Sequence, residues 1–343
     1  MTDLATTKPG GTTTDGPELV VRGLEVDFLT QHGWVNTVSG IDFDLQRGET
    51  LALVGESGSG KSVTSMAIMG LVPQPPGRVR ADQISLGGRD LLGLSPREMS
   101  DLRGDRLAMI FQEPMTSLNP AYTIGEQIAE VVRRHEGASR KEAKQRAVEA
   151  LSEVGIPNAA RRAKAYPHEF SGGMRQRAVI AMALVCRPDV IIADEPTTAL
   201  DVTIQAQILD LLRQIQDEHN MAILFITHDL GVVADLCNRV IVMYAGQVVE
   251  QADIDPLFAD PRHPYTEGLM RSMPQVGTQG SALSSIPGRP PEPWNFPDGC
   301  RFGPRCQFKI DACDKPQTLD QLVTGHLCRC VRSDDLHQEA NSR

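Results

Sequence analysis

The chain has 343 residues, enough for one large domain and a smaller one without disulfide support for the core. Lysine and arginine total 34 against 44 aspartate and glutamate residues, so the formal net charge is −10. This balance argues against a broad nucleic-acid or anionic-membrane surface, because such surfaces are basic. Any polyanion that the protein binds must therefore be bound by a small local group of residues.

The first 17 residues are rich in Thr, Gly and Pro, which predicts a disordered tail over 1–17. The tail lacks the basic start and apolar run of a signal peptide, so we expect the chain to stay in the cytoplasm. The longest apolar runs, such as residues 178–186, are about half of the roughly 20 residues that span a bilayer. Membrane contact is therefore expected through partner proteins.

Local patterns predict strands first and helices later. Alternating apolar residues at 19–29 and 38–54 indicate β-structure, and the pattern becomes helical from residue 61. Charged helical spacing over 124–155 predicts a helical subdomain at about 100–185. Two nearly continuous apolar runs, 189–196 and 221–229, predict parallel strands buried on both faces.

The C-terminal part differs from the rest of the chain in composition and periodicity. Beyond about residue 255 the chain is Pro-rich and has little periodicity, which predicts a domain boundary there. We expect a main domain over 18–255, a small C-terminal domain over 256–335 and a disordered tail over 336–343.

The segment between the strand TLALV and the first helix is a phosphate-binding motif. Residues 55–62 read GESGSGKS and match the pattern G-x-x-x-x-G-K-[ST] in the strand-to-helix context that this motif requires. Its glycines let backbone N–H groups face the phosphates. Lys61 would reach the β and γ phosphates, and Ser62 would bind Mg²⁺.

Two acidic residues end the first buried strand. Asp194 can hold Mg²⁺ through a water, and Glu195 lies one residue further, where its carboxylate can accept a proton from an attacking water. A second anion-binding helix start follows Phe170, at Ser171, Gly172 and Gly173. One nucleotide does not need two such loops, so the second predicts a dimer with ATP at its interface.

The ordered series of motifs resembles the ATP-binding subunits of ABC transporters over nearly the whole chain. The series is GESGSGKS at 55, FQEP at 111, FSGGMRQR at 170, VIIADEPTTALD at 190 and THD at 227. The resemblance implies an α/β fold of the P-loop NTPase class, with a RecA-like core, an antiparallel β-subdomain, a helical subdomain and a small Cys-rich C-terminal domain. By the same resemblance Glu195, His228 and Gln112 are catalytic, with Gln112 also sensing Mg²⁺ beside Ser62 and Asp194. The implied ATP contacts are Phe28, Gly55, Ser57, Gly58, Gly60, Lys61, Ser62, Val63, Ser171, Gly172, Gly173 and Asp201.

The adenine-stacking residue has two candidates. In this family an aromatic ring upstream of the phosphate loop stacks on adenine, and both Phe28 and Trp34 qualify. Phe28 fits the order of strand and aromatic residue better, whereas Trp34 lies nearer along the chain. Either ring can instead pack within the β-subdomain.

Further segments resemble the oligopeptide and dipeptide importer branch, which also includes nickel and glutathione importers. They are FQEPMTSLNP, YPHEFSGGMRQR, MYAGQVVE, HPYTEGLM and IPGRPP. The resemblance implies a second, related ATPase subunit, two transmembrane permease subunits, an extracytoplasmic substrate-binding protein and a peripheral place on the cytoplasmic face of the membrane. Since this branch commonly uses two different ATPases, the resemblance favours a heterodimer over a homodimer. A soluble ABC-type ATPase acting on DNA or the ribosome is the rival class, and the acidic charge argues against it.

Five of the seven cysteines lie in the last 44 residues. In a reducing compartment such clustering indicates a metal before disulfides. Cys300, Cys306, Cys313 and Cys330, with five, six and sixteen residues between them, can close one site for a [4Fe–4S] cluster or for Zn²⁺. The wide spacing fits zinc ribbons poorly, and the resemblance points to the cluster. Cys328 is either an alternate ligand or a bystander, and a redox or metal sensor is a third interpretation of the whole segment.

Overall fold

The computed structural model describes residues 16–113, 117–198, 200–272 and 285–341. The expected tail at 1–17 lies almost wholly outside these ranges. In the part of the chain that is described, no helix is long and apolar enough to cross a membrane.

An antiparallel sheet forms the first layer. Its strands are β1 (Leu19–Thr30), β2 (Gly33–Leu45), β4 (Gly77–Arg80), β5 (Gln83–Leu86) and β6 (Arg89–Asp90). The order is β2-β1-β5-β6, and β4 also pairs with β1. This sheet confirms the β-rich segments expected near the start of the chain.

A larger mixed sheet forms the centre of the protein. Its order is β12 (Asp320–Val323), β13 (His326–Cys328), β11 (Gln247–Asp253), β10 (Arg239–Tyr244), β3 (Thr50–Val54), β9 (Ala222–Thr227), β8 (Val190–Asp194) and β7 (Leu107–Ile110). The five strands from β10 to β7 are parallel, and every residue of β8 and β9 is buried. The two predicted buried strands are therefore confirmed, and both end at one edge of the sheet.

Alternate residues of the central strands enter two different hydrophobic cores. In β9, Ile223 and Phe225 face a first core shared with the helices. Leu224 and Ile226 face a second core, which is shared with the antiparallel sheet. Since neighbouring side chains of a strand point to opposite faces, a strand covered on both faces needs a continuous apolar run.

Eleven named helices surround these sheets in the described residues. They are α1 (Lys61–Ile68), α2 (Pro96–Leu102), α3 (Ile124–Glu136), α4 (Arg140–Glu153), α5 (Ala159–Arg162), α6 (Gly172–Leu184), α7 (Val202–His219), α8 (Leu230–Leu236), α9 (Ile254–Ala259), α10 (Pro264–Arg271) and α11 (Ser333–Asn341). Side-chain caps fix several starts. Ser139 and Glu142 form a capping box at α4, and Ser171 and Asp201 cap α6 and α7.

The expected start of the helical subdomain differs in the structure. The helical part was expected from about residue 100, but β7 pairs in parallel with β8 and belongs to the central sheet. Among the described residues, the first named helix after β7 begins at Ile124. A short strand of four residues has too little periodicity to be separated from a helix by pattern alone.

The C-terminal extension is joined to the central sheet rather than set apart beyond residue 255. Its hairpin, β12 and β13, pairs with β11, and Tyr265 and Phe302 lie in the first core. The tail expected at 336–343 is also wrong for most of its length, because α11 continues to Asn341. Residues 342–343 lie outside the described ranges.

Candidate functional site

The phosphate loop lies between β3 and α1 and requires glycine at defined positions. Gly55, Gly58 and Gly60 have φ values of +155°, +80° and +103°. A Cβ at Gly55 would lie 2.2 Å from the Met243 carbonyl oxygen, so no other residue fits there. The Cβ direction of Gly58 is open and the residue is exposed, as is Ser57, which leaves this side of the loop accessible to phosphates.

Lys61 is folded back over this loop. Its Nζ donates to the carbonyl oxygens of Gly55, at 2.7 Å, and Glu56, at 3.1 Å, and the residue is 5% exposed. Burial lowers the pKa of Lys61, and the nearby carboxylates of Glu195 and Asp194 oppose that shift. The lysine therefore brings a positive charge to a loop that also presents backbone N–H donors.

Ser62 and Asp194 meet beside this lysine. Ser62 Oγ donates to Asp194 Oδ1 at 3.1 Å, across 132 residues of sequence. Asp194 is 6% exposed at the end of β8, and burial raises its pKa. A hydroxyl and a carboxylate oxygen at this distance form part of an oxygen donor set that suits Mg²⁺, whose charge would favour the ionised carboxylate.

The Glu195 carboxylate contacts three side chains at the edge of the sheet. Its Oε2 accepts from Gln112 Nε2 at 3.0 Å and from Thr198 Oγ1 at 2.8 Å. His228 Nδ1 lies 3.4 Å from its Oε1, and the His228 side chain is 60% exposed. The backbone of Glu195 is left-handed, with φ +47°, and its N–H donates to Ile226 O of β9 at 2.9 Å. The turn thereby directs the carboxylate toward Gln112 and His228.

The structure thus brings Gln112, Glu195 and His228 together. Sequence reasoning missed Thr198, which is three residues after Glu195 and orients its carboxylate. The available signal was the TT pair within VIIADEPTTALD.

The second glycine loop, residues 171–173, lies at the start of α6. Ser171 Oγ accepts from Met174 N at 3.4 Å and so caps α6, and a Cβ on Gly172 would meet nothing within 4 Å. Gly173 is closely packed, because its Cβ would lie 2.7 Å from Ile204 Cγ2 of α7. No hydrogen bond or ion pair given for the described residues joins this loop to the phosphate loop. Asp201 Oδ1 accepts from Ile204 N at 2.9 Å, which fixes the start of α7.

The two aromatic candidates have different surroundings. Phe28 lies on β1, is partly buried and packs against the second core, as does the side chain of Val63. Trp34 is 48% exposed, and the Arg78 guanidinium lies 4.0 Å from the centre of its ring. The structure places both rings on the β1–β2 hairpin, and Thr37 O of that hairpin lies 3.2 Å from the Cβ position of Gly60.

Four cysteines of the extension line one small cavity of about 20 Å³, together with Phe302 and Phe308. They are Cys300, Cys306, Cys313 and Cys330, and all are free thiols. Burial raises the pKa of Cys300 and Cys306, and it raises the pKa of Cys330 to about 12. Cys328 is buried on β13 and is not among the residues that line this cavity. The four thiols that the sequence grouped are therefore adjacent, and a metal that binds them must displace their protons.

Comparisons with known proteins agree with this architecture. The family model for the ABC transporter matches residues 38–198, and the model for the oligopeptide/dipeptide transporter C-terminal region matches 249–313. The oligopeptide transport ATP-binding protein OppD of Bacillus subtilis (strain 168) is 55% identical over 325 residues, which cover 94% of this chain and 90% of OppD. The dipeptide transport ATP-binding protein DppD of the same strain is 51% identical over 323 residues, with 94% and 96% covered.

A solved structure is similar as well. The dimeric, post-hydrolysis state of an ATP-binding cassette bound to ADP and Pi aligns with a TM-score of 0.60 at 27% identity, covering 69% of this chain and 98% of the other. The chain is thus an ATP-binding cassette ATPase. It belongs to the ABC transporter family and carries the C-terminal region of that family's oligopeptide/dipeptide transporters.

Proposed function

We propose that this chain is the ATP-hydrolysing motor subunit of an importer for oligopeptides or dipeptides. The observation that carries this proposal is the joint presence of an ABC transporter ATPase domain and the C-terminal region of oligopeptide/dipeptide transporters in one chain. The names of relatives that are more than 50% identical, oligopeptide and dipeptide transport proteins, support the peptide substrate. ATP binding and hydrolysis then drive uptake through transmembrane partner subunits.

Each part of the site has a role in this reaction. The phosphate loop and Lys61 would hold the β and γ phosphates. Ser62, Asp194 and Gln112 would hold Mg²⁺, whose positive charge would offset negative charge on the phosphate oxygens. Glu195 orients the attacking water and accepts its proton, and His228 contacts the γ-phosphate. Thr198 keeps the Glu195 carboxylate in place.

The site is completed by a second ATPase subunit. Ser171, Gly172 and Gly173 present an anion-binding helix start that lies away from this chain's own phosphate loop, so they suit ATP held by a partner. The dimeric state of the similar cassette supports this arrangement. We propose a related but different ATPase as the partner, with Asp201 at the interface between the two composite sites.

The remaining partners follow from the same assignment. We propose two transmembrane permease subunits, an extracytoplasmic substrate-binding protein and a peripheral position of this chain on the cytoplasmic face of the membrane. Gln112 lies beside Glu195 and would link hydrolysis to the permeases.

Uptake by the whole complex tests the proposal. The two ATPases, the permeases and the binding protein are assembled in proteoliposomes and supplied with peptides of two to five residues, nickel or glutathione. We expect ATP-dependent accumulation of peptides only. Accumulation of nickel or glutathione instead would contradict the peptide assignment, and ATPase activity that responds to DNA or ribosomes would favour the soluble class.

We also propose that Cys300, Cys306, Cys313 and Cys330 hold a [4Fe–4S] cluster. A tetrahedral zinc site places its sulfurs about 3.8 Å apart. Among the described residues, the one group of three or more potential ligand atoms within 4.8 Å of one another is Glu153, Glu218 and His219, so no three of the four sulfurs lie that close together. Soft thiolate ligands at wider spacing suit a four-iron cluster. Metal binding at such a site would stabilise the fold of a segment that is poor in regular structure.

Metal analysis tests the cluster directly. After purification without oxygen, we expect about four irons and four sulfides per chain with visible absorbance. Replacing any one of the four cysteines with serine should remove them, whereas Cys328→Ser, the matched control, should retain them. Zinc in place of iron would refute the cluster.

A further inference from the structure

The cysteine segment lies directly against the phosphate loop. Arg305, one residue before Cys306, forms a two-pronged ion pair with Glu56, the second residue of the loop. Its Nη1 lies 2.8 Å from Glu56 Oε2 and its Nη2 lies 3.2 Å from Oε1, across 249 residues of sequence. The Arg305 side chain is 5% exposed. A bidentate pair of this kind, in which the arginine is buried and the carboxylate partly exposed, fixes both position and orientation.

A second contact holds the backbone of the same loop residue. The Glu56 N–H donates to the Tyr265 hydroxyl of α10 at 2.8 Å. Arg305 Nη1 also donates to the Tyr244 hydroxyl at 3.3 Å, and the rings of Tyr244, Tyr265 and Phe302 pack at 4.6 to 5.4 Å. Both the side chain and the backbone of Glu56 are therefore set by residues outside the loop.

The other end of the cysteine segment reaches the loop through a turn. Arg301, one residue after Cys300, donates to Ala245 O, and the next residue, Gly246, donates its N–H to Ser59 O of the phosphate loop at 2.9 Å. Arg305 thus contacts the loop directly, whereas Arg301 is linked to it through Ala245 and Gly246.

We propose that Arg305 is a positioning residue for ATP, and that through it binding at the cysteine site and binding of ATP strengthen one another. Glu56 is an acidic residue in a loop that receives the negative phosphates, so Arg305 has two effects. It neutralises the carboxylate, and it holds the loop in the shape in which its N–H groups face the ligand. Occupation of the cysteine site fixes the neighbouring residues, Arg305 included.

The coupling must be reciprocal. If a metal at the four cysteines increases ATP affinity by some factor, ATP increases metal affinity by the same factor. This linkage rests on the proposed metal site, whereas the positioning role of Arg305 rests only on the contacts with Glu56.

ATP dissociation constants of the purified chain, measured by calorimetry, test the positioning role. We expect Arg305→Met to raise the Kd about tenfold or more, because a charge-assisted bidentate contact is lost. Tyr265→Phe, which removes one hydrogen bond, should raise it about threefold. Arg289→Met, which changes an exposed arginine of the same extension, should leave it unchanged. The double variant Glu56→Gln with Arg305→Met should bind ATP better than Arg305→Met alone, because no uncompensated carboxylate remains.

A variant that is less stable than the wild type but binds ATP with the same affinity would overturn the proposal. If Arg305→Met and Tyr265→Phe lower the unfolding temperature yet bind ATP with the wild-type Kd at low temperature, Arg305 is only structural. Should Arg305→Met fail to fold, Tyr265→Phe and the double variant decide by the same Kd criterion.

The rate at which a chelator removes metal tests the linkage. We expect ATP to slow metal loss from the wild-type chain about fivefold or more and to have a much smaller effect on Arg305→Met. Equal rates with and without ATP overturn the linkage while leaving the metal site intact. A purified chain without metal refutes the metal proposal and the linkage together, and the Kd of Arg305→Met still decides the positioning role.

Discussion

At the scale of the residue, the position of the Glu195 carboxylate is fixed by its backbone and by three side chains. Glu195 has left-handed backbone and contacts with Gln112, Thr198 and His228. We expect Glu195→Gln to lower ATP turnover about 100-fold or more, because an amide cannot accept the proton of the attacking water. ATP binding should change less than about twofold, since the phosphate loop is untouched. Single-turnover hydrolysis and equilibrium ATP binding measure the two effects separately.

The control for that variant is Glu25→Gln, which neutralises a carboxylate paired with Arg80 on the antiparallel sheet. It should retain wild-type turnover. Steady hydrolysis in Glu195→Gln at the wild-type rate would remove Glu195 from the catalytic role.

Residue types and their order predicted the main site because each motif is local. The glycines, Lys61 and Ser62 lie within eight consecutive residues, 55–62. Thr198 and Glu56 were missed because their roles depend on partners. Thr198 looks like any turn threonine until its 2.8 Å hydrogen bond to Glu195 is known.

At the scale of the element, the start of α6 contains two glycines with different demands. A Cβ at Gly173 would press on Ile204, whose β-branched side chain is stiff, whereas a Cβ at Gly172 meets open space. We therefore expect Gly173→Ala to be less stable than Gly172→Ala by about 1–3 kcal/mol. Urea unfolding of the isolated chain measures this difference. Equal free energies of unfolding would show that α6 and α7 can separate without cost.

Gly172→Ala also separates folding from assembly. Its free energy of unfolding should lie within about 0.5 kcal/mol of wild type or above it, because alanine favours a helix. Its ATP-driven association with the partner ATPase should weaken if this loop contacts the partner's ATP. Association measured by light scattering on the Glu195→Gln background reports that contact.

At the scale of the whole molecule, a buried histidine joins the extension to the central sheet. The backbone N–H of His263 donates to Glu250 Oε2 at 2.9 Å, and the ring nitrogen Nδ1 of His263 accepts from the backbone N–H of Tyr265 at 3.0 Å. Burial lowers the pKa of His263 from 6.5 to about 4. The unfolded chain therefore binds a proton below about pH 6.5 that the folded chain excludes until about pH 4.

This difference predicts acid sensitivity. The stability that neutral His263 contributes is fully present above pH 6.5 and is lost progressively toward pH 4, by up to about 3 kcal/mol. His263→Asn keeps an acceptor at the cap of α10 without a titrating ring, so its free energy of unfolding should fall less over that range. Urea unfolding at pH 7.0, 5.5 and 4.5 compares the two chains. Parallel losses of stability in both would assign the acid sensitivity to carboxylates instead.

Local patterns of residues predicted the phosphate loop, the acidic end of β8, the two buried strands and the cysteine set. Each is encoded over a short range of sequence, through a strand-to-helix glycine pattern, an apolar run or a ligand type. The pairing of β7 with the central sheet, the continuation of that sheet by the extension and the contact of Arg305 with Glu56 became known only from the folded chain. These contacts join residues far apart in the chain, and the order of strands in the sheet, which local periodicity does not contain, brings them together.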